Sequence, residues 1–154
     1  MIVFKKLKVK NFLSFGNNDT EIDLENYKLN LVTGSNGAGK SSLLVEGLTY
    51  ALFGQPFRDI KKGQLINFIN DKNSVVELEF SISSDEYKII RGQKPNILQL
   101  FKNDELIPES ASVKDFQEYI QSEVLRMSLA SFKQLVVLGT ANFIPFMQLS
   151  SANR

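Results

Sequence analysis

The stretch that decides the fold runs from Lys28 to Gly54 and reads KLNLVTGSNGAGKSSLLVEGLTYALFG. A short apolar segment at its start predicts a strand, a glycine-rich turn follows, and apolar residues at helical spacing come next. Gly34, Gly39, Lys40 and Ser41 match the spacing G-x-x-x-x-G-K-[ST] of a phosphate-binding loop. We therefore expect a strand, a phosphate loop and a helix in that order.

The residue types of this motif suit a nucleotide phosphate. Glycines allow positive φ angles and a close approach of the backbone, whose N–H groups then face an anion at a helix N-terminus. Lys40 supplies a compact positive charge for the β- and γ-phosphates, and the Ser41 hydroxyl is an oxygen ligand suited to Mg²⁺. A glycine-rich surface turn with an exposed lysine is the alternative, and the flanking strand and helix patterns argue against it. The predicted nucleotide-binding loop consists of Gly34, Ser35, Asn36, Gly37, Ala38, Gly39, Lys40, Ser41 and Ser42.

Length and composition indicate one domain with a real core, because 43% of the 154 residues are hydrophobic. Eighteen basic residues against 17 acidic ones leave a net charge of +1, which favours no particular partner. The chain has no cysteine and no histidine, which excludes disulfides and a cysteine zinc site and removes the commonest general base. No apolar run approaches the length of a membrane span, so we expect a cytoplasmic protein.

The rest of the chain has two further patterns. Alternation over residues 4–12 and 20–24 predicts an antiparallel hairpin before the phosphate loop, and alternation over residues 74–107 predicts an antiparallel meander. Ser112, with Asp115 three residues later, predicts the start of a helix over residues 112–125. The buried stripe of that helix is predicted to consist of Val113, Phe116, Ile120 and Val124. The apolar run Leu135–Leu138 predicts a buried strand.

The hydrolytic half of a phosphate-loop ATPase is not found in the sequence. Such enzymes need a carboxylate at the end of a second apolar strand and a group that positions water. The best apolar run, Leu135–Leu138, is followed by Gly139, and the guanine-reading pattern Asn-Lys-x-Asp is absent. Glu77 and Glu79 are interpreted as solvated edge charges of a strand. No complete catalytic set is therefore expected here beyond phosphate stabilisation by Lys40.

This combination resembles the N-terminal half of SMC-like ATPase heads. The order FKKLKVKNFLSFG, a strand and GSNGAGKSSLLVEGLTYALFG carries the likeness. It is most similar to the SbcC-type ATPase subunit of the double-strand-break-repair nuclease complex, and within that group to the recombination endonuclease subunit of T-even-type phages. The likeness extends along nearly the whole chain through further stretches, namely FGQPFRDIKKGQLIN, RGQKPN, ESAS with KDFQ, and ASFKQLVVLGTA with PFM.

The resemblance implies an α/β fold, an ABC-ATPase-like half head in which a mixed core sheet holds the phosphate loop and an antiparallel sheet covers one side. Residues 1–154 would form the N-terminal lobe, with ATP and Mg²⁺ held by the loop. The stretch Asn11–Ser14 would lie near the base or ribose, which adds Ser14 to the binding residues. Thr140 takes the place of a metal-sensing glutamine and would reach Mg²⁺ only through water.

The resemblance also implies partners. They are the C-terminal lobe of the same ATPase, a second head in a homodimer, an SbcD-type nuclease subunit, and double-stranded DNA bound without sequence specificity. The setting would be the cytoplasm, that of the host for a phage protein. Any DNA contact would be to phosphates, with Lys5, Lys6, Lys61 and Lys62 as candidates.

Two other hypotheses stay open at this point. One is a free-standing small NTPase or nucleotide kinase, which requires turnover by these residues alone. The other is a non-enzymatic module, a shortened head that binds an intact subunit, for which the end of the sequence at Arg154 is the motive.

Overall fold

The computed structural model describes residues 1–26, 29–108 and 112–137. Six strands form one antiparallel sheet in the order β2-β1-β3-β4-β5-β6. The strands are β1 (Ile2–Lys10), β2 (Thr20–Asp23), β3 (Ser74–Ile82), β4 (Asp85–Gln93), β5 (Ile97–Lys102) and β6 (Glu105–Ile107). The helix after the phosphate loop is π-helical over Ser42–Glu46 and continues as α1 (Gly47–Phe53). The other helical segments are a 3₁₀ turn (Lys62–Leu65), α2 (Val113–Tyr119) with a π-helical continuation (Ile120–Leu125), and α3 (Leu129–Leu135).

The sheet has one apolar and one charged face, because side chains alternate along each strand. On β3 the side chains of Val76, Leu78 and Phe80 are buried, whereas Glu77 and Glu79 lie on the opposite face. Those two glutamates stand beside Lys8 and Lys6 of β1, respectively. Nζ of Lys88 on β4 lies 2.6 Å from Glu77 and 3.7 Å from Glu79. Both glutamates are therefore charges on the outer face of the sheet, but the interpretation as solvated edge charges is wrong in one respect, because β3 lies inside the sheet order and both carboxylates are paired with Lys88.

The core lies between the apolar sheet face and the helices. The last turns of the helix after the phosphate loop contribute Tyr50, Ala51 and Leu52, each at most 1% exposed. At Gly47 the helix approaches β1 so closely that a Cβ would come 3.1 Å from a Leu7 methyl. The sheet thereby fixes the position of the helix that carries the phosphate loop. No described helix is both long and apolar enough to cross a bilayer.

Helices packed on a sheet agree with the predicted α/β class, but the described sheet differs from the predicted mixed arrangement. Every strand pair among the described residues is antiparallel, and the strand predicted before the phosphate loop is not formed. Leu29 is 88% and Leu31 is 86% exposed. An extended segment becomes a strand only when a neighbour satisfies its backbone hydrogen bonds, and no described strand lies beside this one.

Two further expectations are wrong. Leu135 ends the helix α3 and is 72% exposed, so the run from Leu135 does not begin a buried strand; Leu138 lies outside the described residues. A short apolar run does not distinguish strand from helix. The Ser128 hydroxyl accepts a hydrogen bond from the Ser131 N–H and starts a helix there. Val113 is 64% exposed because it is the first residue of α2, whereas Phe116, Ile120 and Val124 are buried.

Candidate nucleotide-phosphate site

The phosphate loop takes a backbone conformation that requires glycine at two positions. Gly37 has φ +84° and Gly39 has φ +88°, both in the left-handed region. Around Gly37 no heavy atom would lie within 4 Å of an added Cβ, so the loop is open at this point. The Leu43 N–H donates to the Gly39 carbonyl at 2.8 Å, which starts the helix directly after the loop. This geometry leaves an open, backbone-lined turn at a helix N-terminus.

Lys40 places its ammonium group within the loop itself. Nζ donates to the carbonyl oxygens of Gly34 and Ser35, each at 2.7 Å. Ala38 N–H also donates to the Ser35 carbonyl, at 3.2 Å. The Lys40 ammonium is therefore held inside the loop by two of its carbonyl groups, and an arriving phosphate would meet a cation already in place. Ser41, the next residue, is exposed and offers the hydroxyl expected for Mg²⁺.

A second loop, residues 11–16, lies directly against the phosphate loop. A Cβ on Gly39 would come 3.0 Å from the Ser14 Oγ and 3.0 Å from the Phe15 ring. Ser14 is thus brought beside the phosphate loop, and its place near the base or ribose of a nucleotide stays a prediction. Phe15 was not singled out by the sequence reasoning, and its place three residues after Phe12 in a turn is too common a pattern to identify it.

The side chains of four asparagines and the main-chain carbonyl of a fifth hold this second loop in position. The Asn11 side chain is buried, donates to the Asn17 side chain and the Asn73 carbonyl, and accepts from Asn70 Nδ2 at 2.7 Å. Asn67 Nδ2 donates to the Leu13 carbonyl at 2.8 Å. Asparagine suits such sites because it both donates and accepts and tolerates φ angles like the +48° of Asn11. The network joins residues that are far apart in sequence, so no local pattern revealed it.

The helix after the phosphate loop is anchored at two more points. Near its middle, the buried Glu46 carboxylate accepts hydrogen bonds from the main-chain N–H groups of Phe57 (2.8 Å) and Arg58 (3.2 Å), and from Arg58 Nε (2.6 Å). Lys133 Nζ donates to the Phe57 carbonyl at 2.5 Å. The loop beyond the helix is thereby tied both to the helix and to α3.

At the C-terminal end of the same helix lies the buried Arg91 of β4. Its Nε donates to the Ala51 carbonyl at 3.0 Å, and its Nη2 donates to Gln117 Oε1 at 2.6 Å. Gln117 Nε2 donates to the Leu52 carbonyl, and Gly54 ends the helix with φ +67°. The guanidinium suits the negative end of the helix dipole. Burial lowers the pKa of Arg91 to about 10.

The described residues fit a phosphate group and one metal ligand, and they do not supply a complete metal site. The open turn, the Lys40 ammonium and the Ser41 hydroxyl all meet at the helix start. Among residues 1–26, 29–108 and 112–137 there is no group of three acidic side chains that could hold a metal ion. Thr140 lies outside the described residues. Binding of a phosphate is therefore better supported by this geometry than hydrolysis.

The four lysines considered for DNA contact do not form one surface. Lys5 Nζ lies 2.8 Å from Glu86 and 3.3 Å from Glu25, so its charge is already paired. Lys6 stands opposite Glu79 in the register of β1 and β3, in the half of β3 that is farther from Ser74. Ser74 pairs with Gln93, whose side chain donates to the Lys62 carbonyl, so Lys61 and Lys62 lie at the other end of the sheet.

Fold and loop together define a P-loop ATPase half head of the SMC kind. A chain from "Structural biochemistry of ATP-driven dimerization and DNA stimulated activation of SMC ATPases" superposes with a TM-score of 0.61 at 19% identity, over 97% of this chain and 93% of that one. The Smc head domain of Pyrococcus furiosus, solved bound to the C-terminal domain of ScpA, gives a TM-score of 0.54 at 21% identity, over 86% and 35%.

A family model described as AAA domain matches residues 6–154, and the chain belongs to this family. Exonuclease subunit 2 of Enterobacteria phage T4 is 50% identical over 149 residues, which are 97% of this chain and 26% of that protein. The DNA double-strand break repair Rad50 ATPase of Archaeoglobus fulgidus is 32% identical over 118 residues, 77% of this chain and 12% of that protein. The resemblance to an SMC-like ATPase half of the phage type is thus confirmed, and the chain spans about a quarter of the phage relative's length.

Proposed function

We propose that this chain is the ATP-binding N-terminal lobe of the ATPase subunit of a DNA repair or recombination exonuclease. ATP would join two such heads, and their closure would gate a partner nuclease of the SbcD type on double-stranded DNA ends. The single observation that carries the proposal is the phosphate loop, with Lys40 fixed by the carbonyls of Gly34 and Ser35, on a half-head fold. The identity of 50% to an exonuclease subunit supports the biological setting, the cytoplasm of a phage-infected cell.

The geometry of the site supports the following binding roles. The N–H groups of residues 34–42 and the Lys40 ammonium would hold the phosphates of ATP, and Ser41 would be a ligand of Mg²⁺. Bound Mg²⁺ would neutralise charge on the β- and γ-phosphate oxygens. Ser14, beside Gly39, would contact the nucleoside end of the ligand, and Ser42 continues the row of donors at the helix start.

An exposed apolar segment supports completion of the lobe by a second polypeptide. Leu29 and Leu31 alternate on an extended stretch that enters the phosphate loop, and both are more than four-fifths exposed. Exposed alternating leucines on a segment that lies outside the sheet are typical of a strand that lacks its neighbour. We assign the missing neighbour to the C-terminal lobe of the same ATPase, which would also bring the carboxylates that Mg²⁺ binding and water activation need.

DNA contact, if made by this lobe, would be to phosphates and hence sensitive to salt. Lys6 and Lys61 remain the better candidates, because Lys5 is paired with two glutamates and Lys62 lies over the Tyr50 ring with its pKa lowered by burial. We propose no base-specific contact.

The free-standing kinase hypothesis differs in one measurable outcome. It requires phosphate transfer or hydrolysis by this chain alone, whereas the half-head proposal requires the complementary lobe. No described acidic cluster favours the kinase, and the SMC-like fold favours the half head. The non-enzymatic module is distinguished by its effect on the intact subunit, whose ATPase rate it would lower when added in excess.

The test is a phosphate-release assay with the chain alone, with the separately expressed C-terminal lobe, and with both. We expect negligible turnover from either part and ATP hydrolysis from the mixture. A Lys40→Ala chain in the same mixture should remove that activity, while a Lys114→Ala chain, changed at an exposed position of α2, should not. Equal turnover with and without the second lobe would support the kinase hypothesis instead.

A further inference from the structure

The tip of the phosphate loop carries Asn36 followed by Gly37, the only Asn-Gly pair in the 154 residues. Both residues are exposed, and Gly37, with φ +84°, has open space where a side chain would be. In the part of the chain that the structure describes, neither the Asn36 side chain nor the Gly37 N–H has a hydrogen bond. Gly37 thus offers an unhindered main-chain nitrogen next to an untethered side-chain amide.

Several other asparagines of the described chain have hydrogen-bonded side chains. The amide groups of Asn11, Asn67 and Asn70 donate or accept within the network around residues 11–16. Asn103 Oδ1 accepts from the Glu86 N–H at 2.9 Å. None of these asparagines precedes a glycine, so a Cβ on the following residue hinders approach to the amide carbon. Asn36 combines exposure, freedom and a following glycine.

We propose that Asn36 is a deamidation site, and that its conversion disables the phosphate loop. The Gly37 main-chain nitrogen attacks the Asn36 Cγ, so a C–N bond forms and closes a five-membered succinimide ring. The Cγ–Nδ2 bond breaks, and ammonia leaves with the proton that the Gly37 nitrogen gives up. Water then opens the ring at either carbonyl and yields aspartate or isoaspartate. The step involves no oxidation or reduction and needs no reagent besides water.

The product places a negative charge within a loop built to receive an anion. The new carboxylate and the phosphates of a bound nucleotide are both negative and repel each other, so the modified loop loses affinity for a triphosphate. Isoaspartate also lengthens the main chain by one carbon and displaces the N–H groups that follow. A bound nucleotide protects the site, because phosphates occupy the Gly37 N–H and order the loop. This protection rests on the proposed function, whereas the reaction in the empty loop does not.

The experiment follows each asparagine by peptide mapping and mass spectrometry, with the whole chain incubated at mildly alkaline pH. One arm contains no nucleotide, and the other contains Mg²⁺·ATP at about ten times its measured Kd, where mass action leaves the loop empty about one-tenth of the time. We expect Asn36 to be converted several times faster than any other asparagine in the first arm. In the second arm its conversion should slow about tenfold. The purified product should bind a fluorescent ATP analogue about tenfold more weakly or worse.

Two variants keep the result decisive. Asn36→Gln keeps an amide but disfavours the five-membered ring, so residue 36 should stay unconverted, and the affinity of this variant, compared with its own value before incubation, should not fall. Lys40→Ala should react at Asn36 and lose protection by ATP. Conversion of Asn36 no faster than that of the tethered Asn11, or equal affinity of the converted and intact chains, overturns the inference. Fresh, unconverted chain that binds no ATP analogue would instead overturn the proposed function, while rapid conversion in the first arm would still support the modification site.

Discussion

The carboxylate of Glu46, in the helix that follows the phosphate loop, lies 2.6 Å from Nε of Arg58, in the loop beyond the end of that helix. The carboxylate is 1% exposed, whereas the arginine side chain is 53% exposed. Two main-chain N–H groups, of Phe57 and Arg58, complete the coordination of the buried charge. The partners of this carboxylate are thus mostly backbone donors, and the guanidinium covers it from the solvent side.

Glu46→Gln should destabilise the fold, because the neutral amide presents an N–H toward donors that need an acceptor. The expected loss in the free energy of unfolding is about 1–3 kcal/mol. Arg58→Ala should cost less, about 1 kcal/mol or under, since half of that side chain is in water. Urea unfolding of both variants and of the double variant measures the two effects and their coupling. A Glu46→Gln variant as stable as the wild type would show that the carboxylate is not needed.

Gly39→Ala should disturb the site for two reasons, the positive φ and the contact with Ser14 and Phe15. Gly37→Ala has the positive φ alone, and Gly63→Ala has neither problem. Backbone strain of this kind costs about 1–3 kcal/mol. We therefore expect thermal stability to fall in the order Gly63→Ala, Gly37→Ala, Gly39→Ala, with the first close to wild type. If Gly37→Ala lowered the thermal stability more than Gly39→Ala, the loop of residues 11–16 would have to move aside for the new methyl group without loss of stability.

Lys40→Ala should weaken nucleotide binding by about 10- to 100-fold, the range expected for loss of a charged hydrogen bond. The fold should survive, because the Lys40 ammonium contacts only carbonyls of its own loop among the described residues. Titration with a fluorescent ATP analogue measures affinity, and circular dichroism measures folding. Lys114→Ala is the matched control for removal of an exposed lysine. Unchanged affinity of Lys40→Ala would contradict the assignment of the site.

Asp19 should titrate at lower pH in the folded chain than in the unfolded chain, because the hydrogen bond from Lys8, at 2.9 Å, lowers the pKa of its carboxyl. The unfolded state then binds more protons, so this group favours folding above its unfolded pKa and the contribution is lost as pH falls through the folded value. Lys8→Met should move the Asp19 pKa upward, toward the ordinary value near 4. NMR titration of the carboxyl carbon measures the shift; an unmoved pKa would show that Lys8 is not its cause.

Local patterns predicted much of the fold. Alternation along β1 and β3 reflects one solvent-facing and one buried face of the sheet. Ser112 predicted the start of α2, because its hydroxyl accepts a hydrogen bond from the N–H of Asp115, three residues later. The same reasoning failed where the deciding partner is distant. Leu29 and Leu31 have the alternation of a strand, but both are exposed and form none. Leu135 begins an apolar run that predicts a strand, but it is the last residue of a helix.

The sequence by itself determined the phosphate loop, because Gly34, Gly39, Lys40 and Ser41 act through backbone geometry and charge that their own spacing sets. Only the tertiary structure decided what surrounds that loop. Phe15 and Ser14 contact Gly39. Glu46 accepts a hydrogen bond from Phe57, 11 residues away, and Arg91 donates to the Ala51 carbonyl near the end of the helix, 40 residues away. These contacts depend on how the sheet and helices pack, and no pattern within a few residues carries that information.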